Sequence, residues 1–109
     1  MTVAELTARM HAFVAAQGWY EPDSSHPQTP RNLAVSLAIE SAEVLEHFQW
    51  SDELDRAELA GELADVTLYL LQLADLCGID LAQAVLAKLE ANARRRWPSS
   101  ESGRSGGSD

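Results

Sequence analysis

The stretch AIESAEVLEHFQW, residues 38–50, reads as helix from end to end. Its Val, Leu, Ile and Phe content suits burial, yet it carries Glu40, Glu43 and Glu46. On a helix, positions i, i+3, i+7 and i+10 share one stripe, so Glu40, Glu43, His47 and Trp50 stand in line. An acidic stripe on an otherwise apolar helix needs either solvent or a cation to face.

The segments on either side extend the helical reading. Thr29 is a good N-cap and Pro30 suits the first helical position, so the helix is expected over 30–50. Leu33, Leu37, Val44, Leu45 and Phe48 supply its core face, while Val35, Ile39 and Ala42 lie on other faces. Apolar residues on several faces predict burial on more than one side, as a partner subunit would provide. Upstream, TVAE is a capping box (Thr2 as cap, Glu5 three residues on) opening a helix over 3–17. Leu6, Met10, Phe13 and Val14 form its apolar stripe, and Gly18 closes it. Residues 19–30, WYEPDSSHPQTP, contain three prolines and no periodicity. They form an ordered loop, because Trp19 and Tyr20 are costly to leave exposed.

Downstream, SDELD is a short connection. A third helix is expected over 54–77, closed by Gly78, and a fourth over 80–96, capped by Asp80 with Gln83 completing a box. No alternating strand pattern and no internal repeat is present. The class is all-α: a four-helix bundle-like protomer that oligomerises. Residues 1–98 are expected as one domain, and the Ser/Gly-rich 99–109 as a flexible tail that cannot bury apolar surface.

The third helix has its own polar stripe: Glu58, Glu62, Asp65 and Tyr69, spaced 4, 3 and 4. The fourth carries Lys88, Asn92 and Arg95. If the stripes of helices two and three face each other, Glu40, Glu43, Glu62 and Asp65 meet, a cluster too repulsive to persist without cations. Oxygen ligands without thiolate suit a hard divalent ion, Mg²⁺ or Mn²⁺. Such an ion completes its shell with phosphate oxygens and activates water for hydrolysis. An isolated E-x-x-E is ordinarily a solvated helix face; two such motifs on consecutive apolar helices favour a site. A di-iron carboxylate bundle needs Glu-x-x-His on two helices, and no such motif is present. His11 and His26 are expected at the surface; so is His47, with contact to the ligand as its alternative.

Charge narrows the partners. With 17 acidic against 8 basic side chains, the net charge is −9. That disfavours a nucleic-acid polymer and an anionic membrane as partners. A small polyphosphate can still bind through metal. Cys77 is the single cysteine, so no disulfide framework or thiolate zinc site is available, and it is expected as a core thiol. The N-terminus lacks a signal-peptide pattern and no apolar run reaches membrane-spanning length, so a cytoplasmic protein is expected.

PRNLAVSLAIESAEVLEHFQW, followed by ELADVTLYLLQLADLCGIDLAQAVLAKLEANARRRWP, resembles the MazG-like all-α nucleoside triphosphate pyrophosphohydrolases, in the branch that contains the dCTP pyrophosphatases. The likeness covers about residues 30–98. It implies Mg²⁺-dependent cleavage between the α and β phosphates, giving monophosphate and pyrophosphate. It further implies that Glu40, Glu43, Glu62 and Asp65 are metal ligands, and that Trp50, Tyr69 and Asn92 contact substrate, with Lys88 and Arg95 as phosphate contacts. The substrate it implies is a deoxynucleotide such as dCTP or a modified pyrimidine, with pool cleansing as the role and a homodimer or homotetramer as the assembly. Two departures stand out: Ile39 replaces the second acid many relatives place before Glu40, and His26 sits in a loop of unusual form. A helical oligomer that binds a nucleotide or cation without turnover is the alternative.

Overall fold

The computed structural model describes residues 1–95, so residue 98, where the expected domain ends, and the expected tail at 99–109 lie outside the described residues. The described chain is all-α, with α1 at Val3–Ala16, α2 at Pro30–His47, α3 at Arg56–Leu76 and α4 at Leu81–Arg94. It divides into two compact units: Met1–Ile79, which holds α1 to α3, and the residues from Asp80 onward, which hold α4.

The caps read from the sequence are present. The Thr2 hydroxyl accepts from Glu5 N at 3.0 Å, and Glu5 Oε1 accepts from Thr2 N at 2.7 Å. Thr29 and Asp80 each accept from the backbone three residues on, from Asn32 N and Gln83 N. Each cap satisfies a helix N–H that would otherwise lack a partner, worth about 1 kcal/mol.

Helix ends are tighter than expected. α2 stops at His47 rather than Trp50, because its last turn closes with i→i+3 bonds from Phe48 N to Leu45 O and Gln49 N to Glu46 O. Trp50 therefore leaves the stripe it was expected to extend. α3 starts at Arg56, with Asp55 as cap accepting from Glu58 N. It ends at Leu76, which leaves Cys77 past the last turn and exposed rather than in the core.

Gly18 and Gly78 take φ of +77° and +71°, a region costly for any residue with a Cβ. Both build the same stop: Trp19 N reaches Val14 O, and Ile79 N reaches Ala74 O. The first fixes the direction in which the 19–30 loop leaves α1.

In the first unit α3 packs against both α1 and α2. Its core is small: Met10 and Val14 from α1, Leu33 from α2, and Leu71 and Ala74 from α3. Leu33 is the most enclosed, 2% exposed. Leu6 and Phe13 of the expected α1 stripe are exposed, as are Leu45 and Phe48 of α2, while Leu37 and Val44 are half-buried. Val35, Ile39, Leu63 and Leu70 also stand exposed on α2 and α3.

Candidate functional site

Glu40 and Glu43 lie on α2, and Glu62 and Asp65 on α3, the two helices that pack together. Their proximity is felt at Glu40. Burial pushes its carboxyl above the ordinary 4.5, and the charges of Glu43, Asp65 and Glu62 push the same way. Glu40 Oε2 and Glu62 Oε1 are both buried without a hydrogen-bond partner. A buried acceptor left unpaired costs about 1–3 kcal/mol, more when charged.

His47 joins this face, contrary to its expected surface position. Its side chain is only 5% exposed, and Nδ1 lies 3.5 Å from Glu62 Oε1. Its Nε2 is buried without a partner, and its ring meets Phe48 edge-on at 4.8 Å. His47 is still within α2, so it keeps its stripe position four residues after Glu43 and faces Glu62 on α3. A recess of about 440 Å³ lies here, lined among others by Ile39, Glu43, Glu58, His47 and Glu62. Among the described residues no three His, Cys, Asp or Glu side chains are already gathered around one point to hold a metal ion. The donor set is nevertheless hard and anionic, and two of its buried oxygens, Glu40 Oε2 and Glu62 Oε1, lack a hydrogen-bond partner. That chemistry fits a divalent cation held by carboxylates.

A second recess, about 530 Å³, lies between α1, the 19–30 loop, the start of α2 and α3. Trp19, His26, Ser36, Asp65, Tyr69 and Gln72 are on its wall. Asp65 thus belongs to the acidic group and to this cleft at once. The aromatic wall is ordered by ring contacts: Phe13 meets Trp19 edge-on at 5.9 Å, and Trp19 and His26 stand 5.8 Å apart. Polar groups behind the wall are bonded to each other. Gln72, 3% exposed, donates to Tyr20 Oη and to Gln28 Oε1, while His11 lies between Tyr20 Oη and Asp75. Burial raises the Tyr20 phenol above its usual 10.0, aided by the Asp75 charge and opposed by the Gln72 bond.

Of the residues expected from sequence, the structure brings Glu40, Glu43, Glu62 and Asp65 to one interhelical face and Tyr69 to the cleft. Trp50 is 88% exposed and lines neither recess. Lys88 and Asn92 are on α4 and Arg95 is its C-cap, all in the second unit. His26 is exposed as expected, yet it lines the cleft. His11 is bound between Tyr20 and Asp75 rather than free at the surface. Sequence reasoning missed Trp19 and Gln72 as wall residues. Gln72 was within reach: it continues the 58, 62, 65, 69 stripe by three more residues.

The sequence pattern of the MazG-like family matches residues 35–105, a span that contains all four carboxylates. The chain belongs to the MazG-like family. Human dCTP pyrophosphatase 1 is 41% identical over 100 residues, covering 83% of this chain and 56% of that protein. The dATP/dGTP diphosphohydrolase of cyanophage S-2L is 33% identical over 102 residues, covering 94% of this chain and 84% of that one. Among solved structures, a pyrophosphatase from Archaeoglobus fulgidus superposes with a TM-score of 0.71 at 38% identity, over 88% of this chain and 92% of the other. This MazG-like chain therefore spans little more than half the length of its mammalian relatives and nearly all of the archaeal fold.

Proposed function

We propose that this chain is a nucleoside triphosphate pyrophosphohydrolase. It cleaves a deoxynucleotide, dCTP or a modified pyrimidine triphosphate, to the monophosphate and pyrophosphate, and so cleanses the nucleotide pool. One observation carries the reading: Asp65 sits at the junction of the four-carboxylate face and a cleft of nucleoside size walled by Trp19, His26 and Tyr69. The names of the relatives support the same class of substrate.

Glu40, Glu43, Glu62 and Asp65 would hold Mg²⁺, or Mn²⁺; buried Glu40 Oε2 and Glu62 Oε1, without a hydrogen-bond partner, support this. The ion would neutralise phosphate charge and lend Lewis-acid polarisation at the reacting phosphorus. The chain's own residues do the rest. Asp65 ties the phosphate end of the site to the base end, and Tyr69, one turn on, lies against the nucleoside. Lys88, Asn92 and Arg95 are the proposed substrate contacts from α4. Trp50 stands clear of both recesses, so its proposed stacking role is one played across a contact between copies.

Exposed Val35, Ile39, Leu63 and Leu70 support a homodimer or homotetramer. No single helix among the described residues is long and apolar enough to cross a membrane; the proposed location is cytoplasmic. The net charge of −9 argues against a nucleic-acid polymer as partner.

The test is incubation of the pure protein with a panel of nucleoside triphosphates and Mg²⁺, with assay of pyrophosphate and monophosphate. Chelation should abolish release and Mg²⁺ should restore it. Nucleotide-induced stabilisation without turnover would instead mark a non-catalytic binding module.

A further inference from the structure

The cleft contains one amide whose orientation is dictated by its neighbours. A glutamine side chain offers two N–H donors on one side and one carbonyl acceptor on the other, and which side faces a ligand depends on what holds it. Here the chain of constraint starts at the backbone. His26 O can only accept, and Gln28 Nε2 donates to it at 2.7 Å. Gln28 cannot turn over without losing that bond, so its Oε1 is the atom presented to Gln72. Gln72 must therefore meet it with Nε2, at 2.8 Å. The other hydrogen on that nitrogen goes to Tyr20 Oη at 3.2 Å.

Tyr20 can accept because its hydroxyl proton is committed elsewhere. His11 Nε2 lies 2.7 Å from Asp75 Oδ2 and donates there, which leaves Nδ1 as the acceptor for the Tyr20 hydroxyl. Burial keeps that phenol protonated. Both donors of Gln72 are thus spent. Its Oε1 accepts no hydrogen bond from the described residues, and it is absent from the buried orphans that include Glu40 Oε2 and Glu62 Oε1. Gln72 lines the cleft, and Oε1 is the polar atom of this side chain left uncommitted among the described residues.

We propose that Gln72 selects the base, presenting a fixed carbonyl acceptor to a nucleobase that carries an exocyclic amine. The assignment rests on the nucleotide-hydrolase reading above and names the substrate class that site takes. Cytosine and adenine share the required donor. Uracil and hypoxanthine place a carbonyl where the amine would be, and two acceptors then face each other with neither satisfied. A buried polar group left unpaired by the wrong ligand discriminates far more strongly than an apolar contact does. Trp19, His26 and Tyr69 hold the plane of the ring, a contact that tolerates any base. Gln72 adds the edge-reading that stacking lacks.

The experiment measures kcat/KM for two pairs of substrates, dCTP against dUTP and dATP against dITP. Each pair exchanges the exocyclic amine for a carbonyl, with a proton gained on the adjacent ring nitrogen, and the two pairs separate a pyrimidine from a purine ligand. Wild-type protein should favour the amine in the preferred pair by at least roughly tenfold, the scale of one hydrogen bond with its desolvation penalty. Gln72→Met keeps the side chain's length but offers no acceptor of comparable strength, and should bring that ratio to within about threefold. Gln72→Glu retains an acceptor and should keep the preference for the amine. Equal use of both members of each pair by wild type overturns the proposal even if a variant fails to fold. A wild-type ratio preserved in Gln72→Met, with cooperative melting, overturns it as well. Those failures occur with turnover intact. If no triphosphate is turned over, dCMP and dUMP binding followed by tryptophan fluorescence still reads the preference. Absence of any nucleotide binding would sink the functional reading and this one together.

Discussion

The acidic face between α2 and α3 and the cleft behind the 19–30 loop share Asp65 but obey opposite rules. On the acidic face buried polar atoms lack hydrogen bonds: Glu40 Oε2, Glu62 Oε1 and His47 Nε2 are all without a hydrogen-bond partner. Behind the cleft they are bonded in series, from Asp75 through His11, Tyr20 and Gln72 to Gln28. A deficit of partners is what a site for a cation looks like without the cation, since the ion supplies the missing interaction. A saturated network gives rigidity instead, and a rigid wall can select a ligand by shape and by the direction of its hydrogen bonds. One chain thus places charge-starved chemistry beside pre-organised recognition.

The largest effect that would break this contrast is on turnover. Asp65→Ala or Glu43→Ala should cut kcat/KM for pyrophosphate release by about 10²–10³-fold, the loss typical of one electrostatic stabiliser. Circular dichroism should show the helices intact. Full turnover in both variants would mean the acidic face is a solvated surface.

Next is stability. Mg²⁺ at about a hundredfold above its Kd should raise the unfolding free energy by about 2.7 kcal/mol. Glu62→Gln should shrink that increment. Tyr20→Phe, which disturbs only the bonded network, should leave it in place while lowering stability without metal. Denaturant melts of the three proteins check both arms, and an equal Mg²⁺ response in Glu62→Gln would remove Glu62 from the ligands.

A smaller effect concerns the aromatics. Trp19→Ala and Trp50→Ala should each weaken substrate by about 1–3 kcal/mol, the range for a base–aromatic stack. The loss should appear mainly in KM, because the stack is present in ground and transition states alike. If Trp50→Ala leaves every KM unchanged while Trp19→Ala does not, the base is held by the cleft of one copy without Trp50 of another.

The smallest effect is on pH dependence without metal. A carboxyl raised in the folded state binds its proton more tightly there than in the unfolded chain. Its contribution is therefore fully present below the ordinary 4.5 and is lost as pH rises through the raised folded value. Glu40→Gln removes that loss, so the variant should melt higher than wild type at neutral pH in chelator. It should also show a shallower decline between acid and neutral pH. A lower melting temperature for Glu40→Gln at pH 7 would show that the charge is better paired than the geometry indicates.

Much of this was legible in the chain itself. Capping residues, Gly18 and Gly78 as stops, and 3.6-residue periodicity are local signals, because they depend on contacts within a few residues. They located four helices to within a turn. The same periodicity put Glu40 with Glu43 and Glu62 with Asp65 on single stripes. Which stripe faces which neighbour is a packing question, and here the sequence alone stopped. Leu33 and Leu45 look alike in a helical pattern, yet one is enclosed and the other exposed. His47 keeps to the helical stripe and faces Glu62, while Trp50 falls away because α2 ends before it. Tyr20, Gln28 and Gln72 are separated by up to 52 residues, so only the tertiary fold could make one network of them. A hydrogen bond's direction is set by both partners at once, and no single position in a sequence records it.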